Sequence, residues 1–142
     1  MKFTANLRLA YPDDLPRLIA IRAAVRENRP SEPALVAAAD YMPFIRESRC
    51  WVAEEDGAVV GFAALDAEEA SVWALFVAPG AEGRGFGKEL LNRLVEEARR
   101  LGLAELRLST EAGSRAERVY RAAGWTVAGA DGKDSLFMRL DL

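Results

Sequence analysis

Apolar positions along the chain fall into seven short runs that predict β-strands. The first run alternates apolar and polar residues, which is typical of a strand with one buried face. The runs at 59–65 and 71–78 are almost continuously apolar, so we expect helices to cover both faces of these strands. Asp56 and Gly57 form a hairpin turn signal between two runs, which predicts an antiparallel meander. The predicted strands are 7–10, 50–54, 59–65, 71–78, 106–110, 125–128 and 136–140.

Two helices are predicted between the first and second strands. Asp13 is the expected N-cap of the first helix. Its apolar stripe consists of Leu15, Leu18, Ile19 and Val25. The second helix is predicted over 33–42, and Pro43 is expected to kink it or make it restart, because proline disfavours helical geometry at the preceding residue.

Two further helices are predicted in the second half of the chain. The strongest helical pattern spans 85–101, and Gly102 gives it a stop signal. Ser114 and Glu117 form a capping box that opens a short helix ending at Gly124. The sequence therefore predicts about four helices in all.

The order of elements and the length of the chain predict a single α/β domain. One strand, two helices, three strands, a helix, a strand, a helix and two strands indicate a mixed sheet flanked by helices. With 142 residues, of which 51% are hydrophobic and 29% charged, the chain is long enough to bury its own core. We expect one domain over 1–142.

The absence of histidine and the single cysteine exclude several kinds of site. Cys50 cannot form an internal disulfide, and neither a His/Cys zinc site nor a histidine-based catalytic triad can be built. We therefore expect no metal. The net charge of −3 and the pI of about 5.1 argue against a broad nucleic-acid surface, so no nucleic-acid partner is predicted.

The chain shows no membrane or export signal. It has no run of 18 apolar residues, and its first residues lack the apolar stretch of a signal peptide. We expect no membrane partner and a cytoplasmic location.

A glycine-rich turn joins the strand at 71–78 to the strongest helix. Glycines at alternate positions over 83–87 leave backbone N–H groups uncovered at a helix N-terminus, where the helix dipole favours an anion. Arg84 and Lys88 add cationic side chains. On physical grounds the turn is a candidate cradle for a pyrophosphate.

Two familiar phosphate motifs do not fit this turn. A Walker A loop needs glycine where Glu82 stands and a hydroxyl residue where Glu89 stands. A dinucleotide fingerprint needs a third glycine at Lys88 or Leu90. A flexible loop that softens the start of a helix remains the alternative interpretation.

Two segments resemble the motifs of the GNAT superfamily of acyl-CoA-dependent N-acyltransferases. Residues 82–87, which read Glu-Gly-Arg-Gly-Phe-Gly after an apolar strand, resemble the coenzyme A motif Gln/Arg-x-x-Gly-x-Gly/Ala. Glu82 departs from the first position of that motif. Residues 116–125 are similar to a second motif, Ala-x-x-x-Tyr-x-x-x-Gly-Phe/Trp, with Gly113 in place of a frequent upstream asparagine. The two motifs stand in the order and spacing of the family.

This resemblance implies a fold and a cosubstrate. The fold is a GNAT-like mixed sheet, mostly antiparallel with a splayed parallel pair, and the cosubstrate is acetyl-CoA. The pantetheine arm would lie in the gap of the splayed pair and bond to the main chain of Phe76 and Val77. The cofactor-binding residues it implies are Phe76, Val77, Gly83, Arg84, Gly85, Phe86, Gly87, Lys88 and Thr110.

The resemblance also assigns a general acid but no base. Tyr120 would lie beside the leaving sulfur and protonate it. Trp73 and Tyr41 are candidates for the acceptor pocket. Ser71 stands roughly where some members of the family carry a glutamate on the strand. The candidates for a base acting through water are Glu54, Asp66, Glu68 and Glu69, and the sequence does not choose among them.

The expected activity is transfer of an acetyl group from acetyl-CoA to a primary amine of a small molecule, by direct attack in a ternary complex. Two alternatives stay open, namely a coenzyme A-binding regulatory module without turnover and an acetyltransferase for proteins or peptides. A homodimer is a further expectation.

Overall fold

The structure, a computed structural model, describes residues 6–28 and 37–142 and contains seven strands and four helices within them. The strands are β1 (Asn6–Leu9), β2 (Cys50–Glu55), β3 (Ala58–Asp66), β4 (Ser71–Val77), β5 (Glu105–Glu111), β6 (Thr126–Asp131) and β7 (Ser135–Asp141). The helices are α1 (Leu15–Asn28), α2 (Ala38–Arg46), α3 (Phe86–Arg100) and α4 (Arg115–Ala122), and a 3₁₀ turn at Pro12–Asp14 precedes α1. All seven predicted strands and the predicted number of helices are confirmed.

One mixed sheet carries all seven strands in the order β1-β2-β3-β4-β5-β7-β6. Every neighbouring pair is antiparallel except β4 and β5, which are parallel. Among the described residues, β4 and β5 pair only at Ser71 and Arg107, whereas β5 and β7 are in register along the whole of both strands. The predicted mixed sheet with a splayed parallel pair is therefore confirmed.

The sheet is covered on both faces, as the continuous apolar strands predict. On one face α3 buries five side chains against the sheet, namely Leu90, Leu91, Leu94, Val95 and Ala98. On the other face α1 and α2 bury Leu18, Ile21 and Tyr41 against Phe62 of β3. Full burial of a large apolar side chain contributes roughly 1.5–3 kcal/mol, so both layers stabilise the sheet.

Gly61 of β3 allows α3 to approach the sheet closely. A Cβ atom at this position would lie 3.0 Å from the carbonyl oxygen of Phe76 and 3.2 Å from Cδ1 of Leu90. The first of these contacts involves backbone, which cannot move aside cheaply. Glycine here fixes the distance between α3 and the end of β4.

The start of α1 differs from the prediction that Asp13 is its N-cap. Tyr11 occupies the cap of the 3₁₀ turn, and its N–H donates to Oδ2 of Asp14 at 2.7 Å. With Tyr11 as the cap, Asp14 is the third residue of the turn, which is the position whose side chain can reach back to the N–H of the cap. The predicted apolar stripe of α1 is confirmed and also includes Ile21.

The second helix differs from its prediction at both ends. It begins at Ala38, and residues 33–36 of the predicted range lie outside the described residues. It neither stops nor restarts at Met42 but continues through Pro43 to Arg46, and the N–H of Glu47 donates to the Pro43 carbonyl at 3.0 Å. An interior proline costs about 3 kcal/mol. Burial of Tyr41 and Ile45 on the inner face offsets that cost.

No helix within the described residues is both long and apolar enough to cross a membrane.

Candidate functional site

A cleft of about 180 Å³ opens beside the last residues of β4. Its floor is the end of β4, and its walls come from α1, the glycine-rich turn, the start of α3 and one side of α4. The lining residues are Val25, Leu75, Phe76, Val77, Ala81, Glu82, Gly83, Gly85, Phe86, Gly87, Lys88, Arg115, Ala116, Val119 and Tyr120. Both segments that resemble GNAT motifs therefore meet at one cleft.

The turn takes a backbone path that only glycine adopts easily. Gly83 and Gly85 have φ values of 78° and 90°, in the left-handed region, and Gly85 is the N-cap of α3. A Cβ on Gly85 would meet no atom within 4 Å, so the space in front of the turn is open. Phe86, only 1% exposed, anchors the start of α3 in the core. The uncovered N–H groups and the helix dipole fit a phosphate group.

Gly87 has an ordinary helical backbone, so the fold does not require glycine there. A Cβ would lie 3.6 Å from Cγ2 of Val77, which is ordinary van der Waals contact. Glycine costs roughly 1 kcal/mol relative to alanine in a helix. The residue is therefore explained better by a close approach to a ligand than by packing.

The cationic side chains around the turn are distributed differently from the prediction. Lys88 lines the cleft, as expected. Arg84 was expected at the rim, but its guanidinium pairs with Glu55 at the end of β2 and donates to the Gly80 carbonyl at 2.9 Å. Its side chain does not line the cleft, so only its main chain is left to serve the cradle.

Arg115, which the sequence analysis did not single out, supplies a cation to the cleft. It is the first residue of α4, and its Nη1 lies 3.9 Å from Oε2 of Glu82. The same atom lies 3.3 Å from the position of a Cβ on Gly83. Arg115 therefore offsets the unusual acidic residue of the first motif. The signal that could have found it is its position directly after the Ser114 cap, where α4 begins.

The free edge of β4 is set by the alternation of its main-chain groups. Ala78 donates its N–H to Val60 of β3 at 2.8 Å, so Phe76, two residues earlier, also faces β3. The main-chain groups of Leu75 and Val77 then face β5, where β4 has no ladder partner among the described residues beyond Ser71. The main chain of Phe76 is thus paired with β3 and not on the free edge where the expected role would need it, although Phe76 does line the cleft.

A β-bulge at Trp73 shapes the same edge. Ala64 pairs with Ala74 and Leu65 with Val72, so Trp73 is an extra residue in β4. A bulge bends the strand and increases its twist locally. It lies between the single pair with β5 at Ser71 and the unpaired segment that lines the cleft.

Tyr120 is buried at 6% exposure and lines the cleft from α4. Its ring packs against Trp125 with centroids 5.6 Å apart and planes tilted by 54°. The predicted cap of α4 is present, since Ser114 Oγ accepts the N–H of Glu117 at 3.1 Å. The Glu117 carboxylate accepts the N–H of Gly113 at 2.8 Å, one residue before the position that a capping box uses.

Thr110 is buried at 9% exposure on the face of β5 that also carries Leu106 and Leu108. It is not among the residues that line the cleft. Its neighbour Ser109 faces the other way and donates its hydroxyl to Asp131 at 2.7 Å. A role for Thr110 in cofactor binding stays a prediction.

The candidate bases lie outside the cleft. Glu54 pairs with Arg8, and Asp66 accepts the N–H of Glu69 at 3.1 Å. Glu82 is the one carboxylate among the described residues that line the cleft. Burial raises the pKa of the Cys50 thiol to about 12, which removes it as a nucleophile near neutral pH.

Trp73 and Tyr41 lie together beside the cleft, on the face that α1 and α2 cover. The Tyr41 ring meets the Trp73 ring edge-on with centroids 5.1 Å apart, and Phe44 packs on Trp73 at 4.5 Å. Burial raises the pKa of the Tyr41 hydroxyl, while Arg22 close by lowers it by a smaller amount. Tyr41 therefore stays protonated near neutral pH.

Comparison with known proteins places this geometry in a family. The family model described as "Acetyltransferase (GNAT) family" matches residues 16–125 of this chain. A curated relative, L-methionine sulfoximine/L-methionine sulfone acetyltransferase of Salmonella typhimurium, is 34% identical over 84 residues, covering 54% of this chain and 49% of the relative. The chain spans about half the length of the curated relatives it matches.

Solved structures share the whole fold. A ribosomal-protein-alanine N-acetyltransferase from Brucella melitensis is 28% identical with a TM-score of 0.77, covering 96% of this chain and 99% of that one. YncA of Salmonella typhimurium, solved with its cofactor acetyl-CoA, is 25% identical with a TM-score of 0.71, covering 99% and 95%. The family match spans most of the chain and includes both motifs at the cleft, and the chain belongs to the GNAT family of acetyltransferases.

Proposed function

We propose that this chain transfers an acetyl group from acetyl-CoA to a primary amine of a small molecule within a ternary complex. The observation that carries the proposal is the convergence of three features on one cleft. These are the open glycine turn at the start of α3, the edge of β4 that has no ladder partner among the described residues, and the buried side chain of Tyr120. The family and the acetyl-CoA bound to YncA support the choice of cosubstrate.

The residues of the cleft divide the binding of coenzyme A between them. The N–H groups of the turn at 83–88 would hold the pyrophosphate, with Lys88 and Arg115 adding charge. The main chain of Leu75 and Val77 would pair with the amide groups of the pantetheine arm, as an added strand pairs with a sheet edge. Phe76 would contact the arm through its ring.

Bound acetyl-CoA would supply an activated acetyl thioester. An N–H on the free edge of β4 would donate to the thioester oxygen, where negative charge develops. The Tyr120 hydroxyl would give its proton to the departing sulfur. The reference pKa of a tyrosine is about 10 and that of a thiol about 8.5, so the transfer is mildly uphill and is best concerted with bond breaking.

The acceptor amine must lose a proton before it attacks, since an alkylamine has a pKa of about 10.4. Among the described residues, the one carboxylate in the cleft is Glu82, at the phosphate end and beside Arg115. We therefore propose that the proton leaves through water rather than directly to a side chain.

The relatives favour two different acceptor classes. The relative from Salmonella typhimurium is named for a small amino-acid analogue, which supports the proposed function. The neighbour from Brucella melitensis is named for a ribosomal-protein alanine, which keeps a protein or peptide acceptor as the second candidate. A coenzyme A-binding module without turnover is the third hypothesis.

Cytoplasmic location, a single domain over 1–142 and a homodimer stay predictions.

Release of free thiol from acetyl-CoA in the presence of an amine panel tests the proposal. We expect thiol release that depends on a small amine and produces the N-acetyl amine, detectable by mass. Release only with peptides would transfer the function to the second candidate. Coenzyme A binding without release for any amine or peptide would leave a binding module.

A further inference from the structure

A guanidinium group beside the cleft lacks the partners that its charge requires. Nε and Nη1 of Arg22, on α1, are buried and have no hydrogen-bond partner among the described residues. Buried polar groups are nearly always paired, and a buried charge without a partner is costly. The residue as a whole keeps part of its surface exposed, although these two nitrogens are buried.

Aromatic rings surround this guanidinium. Its central carbon lies 4.8 Å from the ring centroid of Phe76 and 5.7 Å from that of Trp73. Rings stabilise a cation through their faces, but they do not take up the in-plane N–H groups. The Tyr41 hydroxyl, close enough to Arg22 for its pKa to be affected, accounts for only part of the donor capacity.

Arg22 is not itself among the residues that line the cleft, but it packs on one that is. Phe76, under its guanidinium, lines the cleft, and so does Val25, one turn further along α1. The main-chain groups of Leu75 and Val77, on the strand edge along which the proposed function places the pantetheine arm and the thioester, flank Phe76 directly in the sequence. A group held by Arg22 would therefore lie next to the Phe76 ring, on the strand whose free edge the proposed function assigns to the thioester.

We propose that Arg22 binds the carboxylate of the acetyl acceptor, and that the acceptor is an α-amino acid; this proposal rests on the proposed function. A carboxylate accepts two charge-assisted hydrogen bonds from a guanidinium, which supplies the partners that Arg22 lacks. In an α-amino acid the amine and the carboxylate share one carbon, so binding one at Arg22 holds the other near the edge of β4. Trp73 and Phe44 offer an apolar wall to the side chain.

The test compares L-methionine, L-leucine and L-phenylalanine with their amides in the thiol-release assay. The amides keep the amine and the side chain but lack the carboxylate, and their amines are less basic, which by itself favours the amides as nucleophiles. We expect kcat/KM for the acids to exceed that for the amides by on the order of ten- to a hundredfold, because a hydrogen bond to a charged group has about that effect.

Three variants test whether Arg22 causes the preference for acids over amides. Arg22→Gln should lower kcat/KM for the acids by on the order of ten- to a hundredfold and leave the amides nearly unchanged. Arg22→Lys, which keeps the charge, should recover part of the loss. Arg93→Gln, which removes an exposed arginine of α3 outside the cleft, should behave as wild type. Because acid and amide are compared within one protein, a fall in the folded fraction lowers both equally.

A binding measurement separates the role of Arg22 from the chemistry. Each amino acid is titrated calorimetrically into protein saturated with coenzyme A, which cannot turn over. We expect binding to wild type and a loss of it in Arg22→Gln, with coenzyme A affinity unchanged.

Use of the amides as readily as the acids, or an acid preference that survives in Arg22→Gln, would overturn the role of Arg22 and leave the proposed function standing. Absence of thiol release with every amine, acid or amide would instead overturn the proposed function itself.

Discussion

At the residue scale, the proposed catalysis depends on the Tyr120 hydroxyl, which would donate a proton to the leaving sulfur. Tyr120 is buried, lines the cleft and packs on Trp125, so its ring is held in place from two sides. Phenylalanine keeps the ring that packs on Trp125 and removes the hydroxyl. The residue can therefore be tested without disturbing the helix that positions it.

We expect Tyr120→Phe to lower turnover by about 10²–10⁴-fold while acetyl-CoA affinity changes little, because a positioned proton donor contributes by that factor. The deficit should shrink with an acyl donor whose thiol is less basic, since a better leaving group needs the proton less. Steady-state kinetics with both donors measure it. Tyr11→Phe, at an exposed tyrosine outside the cleft, is the control. Full turnover of Tyr120→Phe would assign proton donation to water or another group.

Glu82 gives a second prediction at this scale. Its carboxylate lies 3.9 Å from Nη1 of Arg115, so Glu82→Gln removes a negative charge from the phosphate end and releases Arg115. We expect coenzyme A to bind as tightly as before or severalfold more tightly, and Arg115→Gln to weaken binding. Calorimetry measures the affinity of each variant for coenzyme A. The control is Glu96→Gln, which removes a negative charge at an exposed position of α3. Tenfold weaker binding to Glu82→Gln would reveal a contact made by Glu82 itself.

At the scale of elements, α3 was predictable because its stripe, its glycine start and its glycine stop all agree. Gly102 ends the helix as expected, with φ at 78° and the N–H of Leu103 donating to the Ala98 carbonyl at 3.1 Å. The path of α2 through Pro43 was not predictable, because local geometry opposes it and only burial in the assembled core outweighs that.

The same contrast holds at the cleft. The turn and Tyr120 could be found because glycine spacing and a motif mark them. The partner of Arg84 could not, because Glu55 is 29 residues away and reaches it only once β2 and the turn lie side by side. The bulge at Trp73 has no local signal either, since it depends on how β3 and β4 pair.

Gly87→Val tests whether the start of α3 is kept open for a ligand. We expect coenzyme A affinity to fall roughly tenfold or more, because the side chain covers backbone donors and crowds the phosphate. Helix stability should change little, since valine has a better helix propensity than glycine. Calorimetry gives the affinity and denaturant unfolding the stability. Gly129→Val, at an open position of β6, is the matched control. Unchanged affinity in folded Gly87→Val would remove this position from the cradle.

The junction of β1 and the 3₁₀ turn predicts a pH dependence. Arg8 donates to both oxygens of Asp14 at 2.8 and 3.0 Å, and this contact holds the pKa of the carboxyl below its usual value. A lowered pKa means that the stabilisation is complete above the unfolded pKa of about 3.9 and is lost as the pH falls through the folded value.

We therefore expect Asp14→Asn to lower the free energy of unfolding on the order of 1 kcal/mol at pH 7. The difference from wild type should vanish in strong acid. Denaturant unfolding at several pH values measures it. Asp13→Asn makes the same change at an exposed neighbour and should show a smaller effect. A difference that stays constant down to the lowest pH would contradict the assignment to the ionised pair.

The whole molecule responds to its cosubstrate through mass action. A ligand that binds only the folded chain at a hundred times its dissociation constant stabilises it by roughly 2.7 kcal/mol, which is several degrees in Tm at this length. We expect millimolar acetyl-CoA and coenzyme A to raise Tm by that amount, measured by thermal unfolding. Gly87→Val should respond less. The absence of any shift would contradict coenzyme A binding.

The single pair between Ser71 and Arg107 has a mechanical consequence for the sheet. Strands β1 to β4 form one part of the sheet, and β5, β7 and β6 form the other. Among the residues that the structure describes, the ladder along their shared border consists of this one pair. The border between β4 and β5 resists sliding of the two strands only weakly, because few hydrogen bonds share the load. A continuous ladder would spread that load over several hydrogen bonds. A molecule that lies at this border and is bonded to β4 would link the two parts of the sheet. A ligand bound in the cleft would therefore reduce the motion of the two parts of the sheet relative to each other.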